Sequence, residues 1–168
     1  LDQAYSPMTI RFFIISAHYR STVDFSNDAL KAAQKGYEKL MNGIEDLKKI
    51  QTSTESDANT KLFVNSLRKK CYDAMNDDLM TPAVISLLFE ACHVINLLID
   101  HKAQISLSDS KELTEVMNIF AFDILGLCNE RSINNEAREE AFGKVVDMVL
   151  ELRAKAKAEK NWAVSDQI

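Results

Sequence analysis

The chain has 168 residues, 46% hydrophobic and 27% charged, the mix of a folded globular domain and not of a disordered chain. Glycine (4) and proline (2) are scarce against a usual share of about 12% for the two, which excludes turn-rich sandwiches, barrels and doubly wound sheets in favour of long helices. The net charge of −5 lacks the overall basic excess of most nucleic-acid binders, leaving room only for a local basic patch.

Taken in chain order, Ser6 and Pro7 open a first helix reaching about residue 19, with Ser6 as cap and Pro7 in the first turn. Ile10, Phe12, Phe13, Ile14 and Ile15 make it apolar all round, so the cap and the length, not the periodicity, select helix over strand. Residues 21–25 read as an extended connector. A second helix is expected over 27–50, capped by Ser26, with Asp28 in its first turn and Lys48 and Lys49 near its end. Leu30, Ala33, Tyr37, Leu40, Ile44 and Leu47 alternate at three- and four-residue steps, one continuous seam. Gly36 and Gly43 each cost about 1 kcal/mol relative to alanine in a helix, which implies the close approach of a neighbouring helix.

Residues 51–59 are polar and read as a loop. A third helix follows over 60–76, with Phe63, Leu67, Cys71 and Ala74 or Met75 on one stripe. Thr81 as N-cap and Pro82 at the first position then start a fourth helix, to residue 99. Glu90 is its sole formal charge. Its two apolar stripes (Ile85, Leu88, Cys92, Ile95, Ile99 and Val84, Leu87, Val94, Leu98) mark it as the central helix. No stretch is expected to match the 18 or more uncharged apolar residues of a membrane span, and no signal peptide opens the chain. A fifth helix over 110–125 is expected to bury Leu113, Val116, Met117, Phe120 and Ile124, with Gly126 just past its end. Residues 129–135 read as a second polar loop. A sixth helix over 135–157 would turn Phe142, Val145, Val149 and Leu152 inward, and Asn161 and Trp162 begin a further element. The fold class is all-α, a bundle of five to six antiparallel-type helices joined by short loops, without an internal repeat.

The residues carry little chemistry. Four glycines at 36, 43, 126 and 143 are too dispersed for a phosphate-binding loop, and no Gly-x-Ser-x-Gly elbow is present. His18, His93 and His101 have no partner at metal-ligand spacing, and Cys92 and His93, as helix neighbours, diverge by about 100°. Cys71, Cys92 and Cys128 are odd in number and lack a Cys-x-x-Cys spacing. They fit thiols of a reducing, cytoplasmic compartment better than a disulfide framework or a zinc knuckle. Asp77 and Asp78 are explained by their place before a helix start, where the macrodipole favours carboxylates. Two basic clusters remain, Arg68-Lys69-Lys70 and the helical face Arg153, Lys157 and Lys160 with Lys155 alongside. Such clusters are usually solvated faces. On residues alone the chain is an all-α bundle suited to binding a partner.

Three strings are more specific. Ile10-Arg11-Phe12-Phe13-Ile14-Ile15-Ser16-Ala17-His18-Tyr19-Arg20-Ser21, followed by Val23-Asp24-Phe25-Ser26, resembles the segment after the catalytic domain of cysteinyl-tRNA synthetases. Ala74-Met75-Asn76-Asp77-Asp78-Leu79-Met80-Thr81-Pro82-Ala83 is similar to an acidic Asp-Asp…Thr-Pro-x-Ala signature of the same family, with Leu79-Met80 where Phe-Asn is commoner. Arg153-Ala154-Lys155-Ala156-Lys157-Ala158-Glu159-Lys160-Asn161-Trp162-Ala163 resembles the family's basic helix and Trp-Ala restart, with Asn161 where Asp is commoner. The order and spacing of the three cover the chain from end to end.

The resemblance implies a class I aminoacyl-tRNA synthetase that activates cysteine with ATP and transfers it to tRNA. It implies that the catalytic domain, with its signature motifs, ATP site and zinc ligands, precedes Leu1, and that a module helping to read the anticodon lies beyond Ile168. Residues 1–25 would then end the connector after the catalytic domain. Residues 26–160 would form a helical bundle of the DALR type, and 161–168 would start the C-terminal segment. No catalytic residue, cofactor or metal is expected within the chain. Its partners would be the tRNA for cysteine and the catalytic domain, with no membrane. His18, Arg20, Arg153, Lys157 and Lys160 are the implied tRNA-facing residues. Two alternatives stay open: the helical region of a mycothiol-pathway cysteine ligase, and a helical protein-interaction module.

Overall fold

Ser6 caps the first helix as its place before Pro7 demands, its Oγ accepting from the Thr9 amide at 3.1 Å. The computed structural model describes the backbone of residues 5–158 and the side chains of 5–130, 142–155 and 157. Helix α1 spans Pro7–Ile15 and stops short of residue 19. Its end is closed by Ser16, whose amide and hydroxyl both donate to the Phe12 carbonyl (3.0 and 2.6 Å), and by the Ala17 amide on Ile14 O. Phe12 is buried and Ile14 faces solvent, so the all-round apolar helix buries only one side.

Helix α2 (Asn27–Asp46) is capped by Ser26 and tightens into a 3₁₀ turn, Leu47–Lys49. All six residues of its expected seam are buried. Helix α3 spans Ala58–Asn76, two residues longer at its start than expected, because Asp57 caps it through Thr60 N and Thr60 Oγ1 (2.9 and 2.8 Å). Helix α4 spans Thr81–Ile99. Met80, not Thr81, occupies the cap position, without a side-chain hydrogen bond. The reason is the turn before it: Asp78 and Leu79 both adopt left-handed φ (53° and 55°), and the Thr81 amide donates back to Leu79 O at 2.7 Å.

Thr81–Ile99, interrupted by the charge of Glu90, is nonetheless long and apolar enough to cross a membrane by length and composition. Here one face, with Val84, Ile85, Leu88, Ala91, Cys92, Ile95 and Leu98, is buried in protein, against α2, α3 and the following helix. Helix α5 (Leu107–Asn118) starts earlier than residue 110 because Ser106 caps it through Asp109 N. It continues as a π turn, Ile119–Ile124, in which the Leu125 amide reaches back five residues to Phe120 O. That extra residue rotates the last turn. Phe120 and Ala121 stay buried while Ile124, expected inside, is 37% exposed. Gly126 takes the left-handed φ of 63° that ends the helix, as expected.

Among the described residues there is no strand, only an isolated bridge between Ser53 and Ser106. The 51–57 loop is tied to the α4–α5 connection: Ser53 N donates to Ile105 O (2.8 Å), Asp57 N to Gln104 O (3.1 Å), and Gln104 N to the Asp57 carboxylate (2.9 Å). The Ser56 hydroxyl donates to Asp109 and accepts from Ser106 N.

Packing divides the chain after Cys128, into Leu1–Cys128 and Asn129–Ile168. In the first unit α1 packs on α2, α2 on α4, and α3 on both α4 and α5, so the first helix, read from sequence as part of a connector, shares a core with the bundle. In the second unit α6 runs over Glu130–Ala158. It takes in residues 130–135 of the 129–135 stretch expected as a loop. Phe142, Val145, Val149 and Leu152, expected inward, are exposed (38–69%). Among the described residues this unit is a single helix, which has no second helix to cover its stripe. Lys160, Asn161 and Trp162 lie outside the described residues.

Candidate functional site

The first two informative strings meet in space. The chain leaving α1 and the turn joining α3 to α4 converge on Asp78, which three successive residues engage. His18 Nε2 lies 3.0 Å from the Asp78 carbonyl, Tyr19 OH donates to Asp78 Oδ1 at 2.7 Å, and Arg20 Nη1 lies 3.2 Å from Asp78 Oδ2. Inside the cluster the Arg20 amide donates to His18 Nδ1 (3.3 Å), and Arg20 Nε donates to Tyr19 OH (3.0 Å). With Nδ1 accepting from the Arg20 amide, Nε2–H is the donor to Asp78 O. The rings stack: His18 and Tyr19 centroids are 4.7 Å apart, and the Arg20 guanidinium lies 5.3 Å from the Tyr19 centroid. Hydrogen bonding to the Asp78 carboxylate holds the Tyr19 phenol above its ordinary pKa. The Arg20 side chain stays 68% exposed and that of His18 only 17%.

Asp78 therefore does not act through the α4 macrodipole, as its position in the sequence implied. Its carboxylate is held by Tyr19 and Arg20. Sequence reasoning named His18 and Arg20 but missed Tyr19 and Asp78 as their partners, although both stand in the quoted strings. A contact between residues so far apart in the chain leaves no periodic trace.

The two basic clusters fare differently. Arg68 is committed within the protein: Nε donates to Glu112 Oε1 at 2.6 Å and Nη2 lies 3.2 Å from Glu115 Oε2. The Glu112 bond raises its already high pKa. Lys69 pairs with Asp73 at 2.6 Å. Two of the three cluster cations, Arg68 and Lys69, are thus paired within the protein. Arg153, Lys155 and Lys157 are exposed along α6. Arg153 and Lys157 are one turn apart and so share a face, and Lys160 lies outside the described residues. The structure brings His18 and Arg20 together. Arg153 and Lys157 form a separate group in the second unit.

A cleft of about 620 Å³ lies between the start of α3 and the 101–104 connection, lined by Asp57, Thr60, Phe63, His101 and Gln104 among others. Its carboxylate is already engaged: the Thr60 amide first, then the Gln104 amide, hold Asp57 below the usual carboxylate pKa. Burial pushes the Cys71 and Cys92 thiols up to about 11. Among the described residues no three His, Cys, Asp or Glu side chains are grouped so as to hold a metal.

Residues 70–129 match the DALR domain family, which takes in the Asp78 turn but not its partners on the connector. The whole chain is 54% identical over 168 residues to the cysteine–tRNA ligase of Bacteroides thetaiotaomicron, covering 100% of this chain and 34% of that protein. It is 56% identical to that of Bacteroides fragilis over 100% of this chain and 33% of the relative. The similarity extends to Chlorobaculum tepidum, at 36% over 98% of this chain and 33% of its cysteine–tRNA ligase. The chain is similar to cysteine–tRNA ligases along its whole length. It spans about a third of the length of the curated relatives it matches. The Asp78 cluster joins the region matching the DALR domain to the segment that precedes it.

Proposed function

We propose that the chain is the tRNA-binding and tRNA-positioning helical region of a cysteine–tRNA ligase, the enzyme that attaches cysteine to its tRNA using ATP. Unbroken similarity to proteins of that name along the whole chain carries the reading. On it, the chain positions the tRNA and does not react. ATP and zinc belong to the catalytic part of the ligase, which is also a partner of this bundle. The site of action is the cytoplasm, where the three free thiols stay reduced.

Two separate groups contact tRNA, each within its own unit: Arg20 with His18 on the connector, and Arg153 and Lys157 on one face of α6, with Lys160 next in the sequence. Arg153, Lys157 and Arg20 are exposed, as phosphate contacts require. Such contacts fix register and orientation without reading sequence. The test is kinetic. In a ligase carrying this chain, replacing Arg153, Lys157 and Lys160 by alanine raises KM for tRNA and leaves cysteine-dependent pyrophosphate exchange into ATP unchanged. An unchanged KM removes these residues from the tRNA surface. A ligase that activates cysteine but charges no tRNA, joining it instead to an amino sugar, overturns the functional reading.

A further inference from the structure

The Asp78 turn is made of the wrong residues for its shape. Asp78 and Leu79 sit in succession in the left-handed region, φ 53° and 55°, which glycine adopts freely, which aspartate tolerates better than most residues and which penalises leucine. Strain of this kind persists where the surroundings hold it, and it concentrates at functional positions. A glycine at 78 would relax the turn and keep the backbone carbonyl that takes His18. It would lose the carboxylate that takes Tyr19 OH and Arg20 Nη1. What the aspartate adds over glycine is its carboxylate, which organises an exposed group.

What it organises has the composition of a nucleic-acid contact. Arg20 spends Nε on Tyr19 OH and Nη1 on Asp78, so the remaining N–H groups of a guanidinium that is 68% exposed are available to an outside acceptor. Tyr19, 62% exposed, contacts both the His18 ring and the Arg20 guanidinium. A solvent-facing arginine normally loses rotamer freedom when it grips a phosphate. One already braced from two sides loses less.

We propose that Asp78 is a positioning residue for tRNA. It locks His18, Tyr19 and Arg20 into one preformed element whose guanidinium takes a backbone phosphate. This rests on the tRNA-binding reading above and adds to it a residue that acts only through Arg20.

The test uses tRNA affinity of the full chain as a function of salt, beside its thermal midpoint. Asp78→Gly removes the carboxylate and relieves the turn, so the midpoint is unchanged or higher while affinity falls about tenfold, the scale of one charge-assisted hydrogen bond. Arg20→Ala gives the same loss, and the double variant loses no more than either. In each, the slope of log affinity on log salt becomes shallower by about 0.7–0.9, one phosphate contact. Leu79→Gly relieves the turn but keeps the carboxylate, and leaves affinity unchanged. Asp78→Asn keeps the size of the side chain without its charge, and supplies the reading if Asp78→Gly does not fold. Wild-type affinity in either Asp78 variant overturns the proposal, as do tighter binding, which would make Asp78 a competitor of phosphate, and additive losses in the double variant. If these variants bind normally while loss of Arg153 and Lys157 weakens binding, only this proposal fails. A wild-type chain with no affinity for tRNA overturns both.

Discussion

Gly43 of α2 packs directly on Cys92 of α4, and replacing it by alanine separates two opposing effects. A Cβ built at Gly43 falls well inside contact distance of Cys92 Sγ and 3.1 Å from Cys92 Cβ, where ordinary contact begins at 3.4 Å. Cys92 cannot yield easily, being 2% exposed between Leu88 and Ile95, both fully buried. Alanine gains about 1 kcal/mol over glycine in a helix interior. Overpacking a filled core costs about 1–3 kcal/mol, so Gly43→Ala should destabilise the chain by about 1 kcal/mol net. Urea unfolding followed by far-UV circular dichroism measures it. Adding Cys92→Ala removes the clashing sulfur, and the double-mutant cycle should show a favourable coupling of about 0.5–3 kcal/mol. Gly143 is the control: nothing lies within 4 Å of its added Cβ, so Gly143→Ala should raise α6 helicity. A Gly43→Ala chain more stable than wild type by about 1 kcal/mol would refute the close helix crossing.

Leu88 and Ile95 are fully buried in α4, so either one changed to alanine should lose about 2–5 kcal/mol; losses under about 0.5 kcal/mol would remove α4 from the centre of the bundle. Thiol alkylation near neutral pH should label half-buried Cys128 first and reach Cys71 and Cys92, whose pKa values lie at about 11, only on unfolding; early labelling of Cys92 would contradict its burial. Because Asp57 is held below its ordinary pKa by the Thr60 and Gln104 amides, the stability it adds is complete above its unfolded value and disappears as pH falls through the lower folded one. Asp57→Ala should therefore cost about 0.5–2 kcal/mol at neutral pH, as for a lost N-cap, and the gap to wild type should narrow below about pH 4; a gap constant with pH would show that the carboxylate charge is not the stabilising element.

Local signals carried most of the first unit. Ser6, Ser26 and Pro82 place three helix starts, and the α2 seam names six buried residues, because caps and periodicity act within one or two turns. What escaped depends on partners distant in sequence or on a change of helical pitch. Ile124 faces outward because the π turn at 119–124 inserts one residue of rotation, which a 3.6-residue period cannot anticipate. Thr81 looked like a cap, but the left-handed pair at 78 and 79 moved that position to Met80. The stripe of α6 was read as inward on the assumption that an apolar face is covered. In the candidate site, His18 and Arg20 were legible only through the family resemblance, and their tie to Asp78 was not legible at all. Arg68 looked like Arg153 in sequence, and only the fold shows it spent on Glu112 and Glu115.

The most direct test of the account is equilibrium binding of the tRNA for cysteine to the full chain over a range of salt concentrations, beside a chain in which Arg153, Lys157 and Lys160 are all alanine. The account predicts binding that weakens with salt, and a log–log slope shallower by about two in the triple variant, from about 0.7–0.9 for each phosphate contact removed. No binding by the wild-type chain, or the same affinity and slope in both proteins, would contradict it.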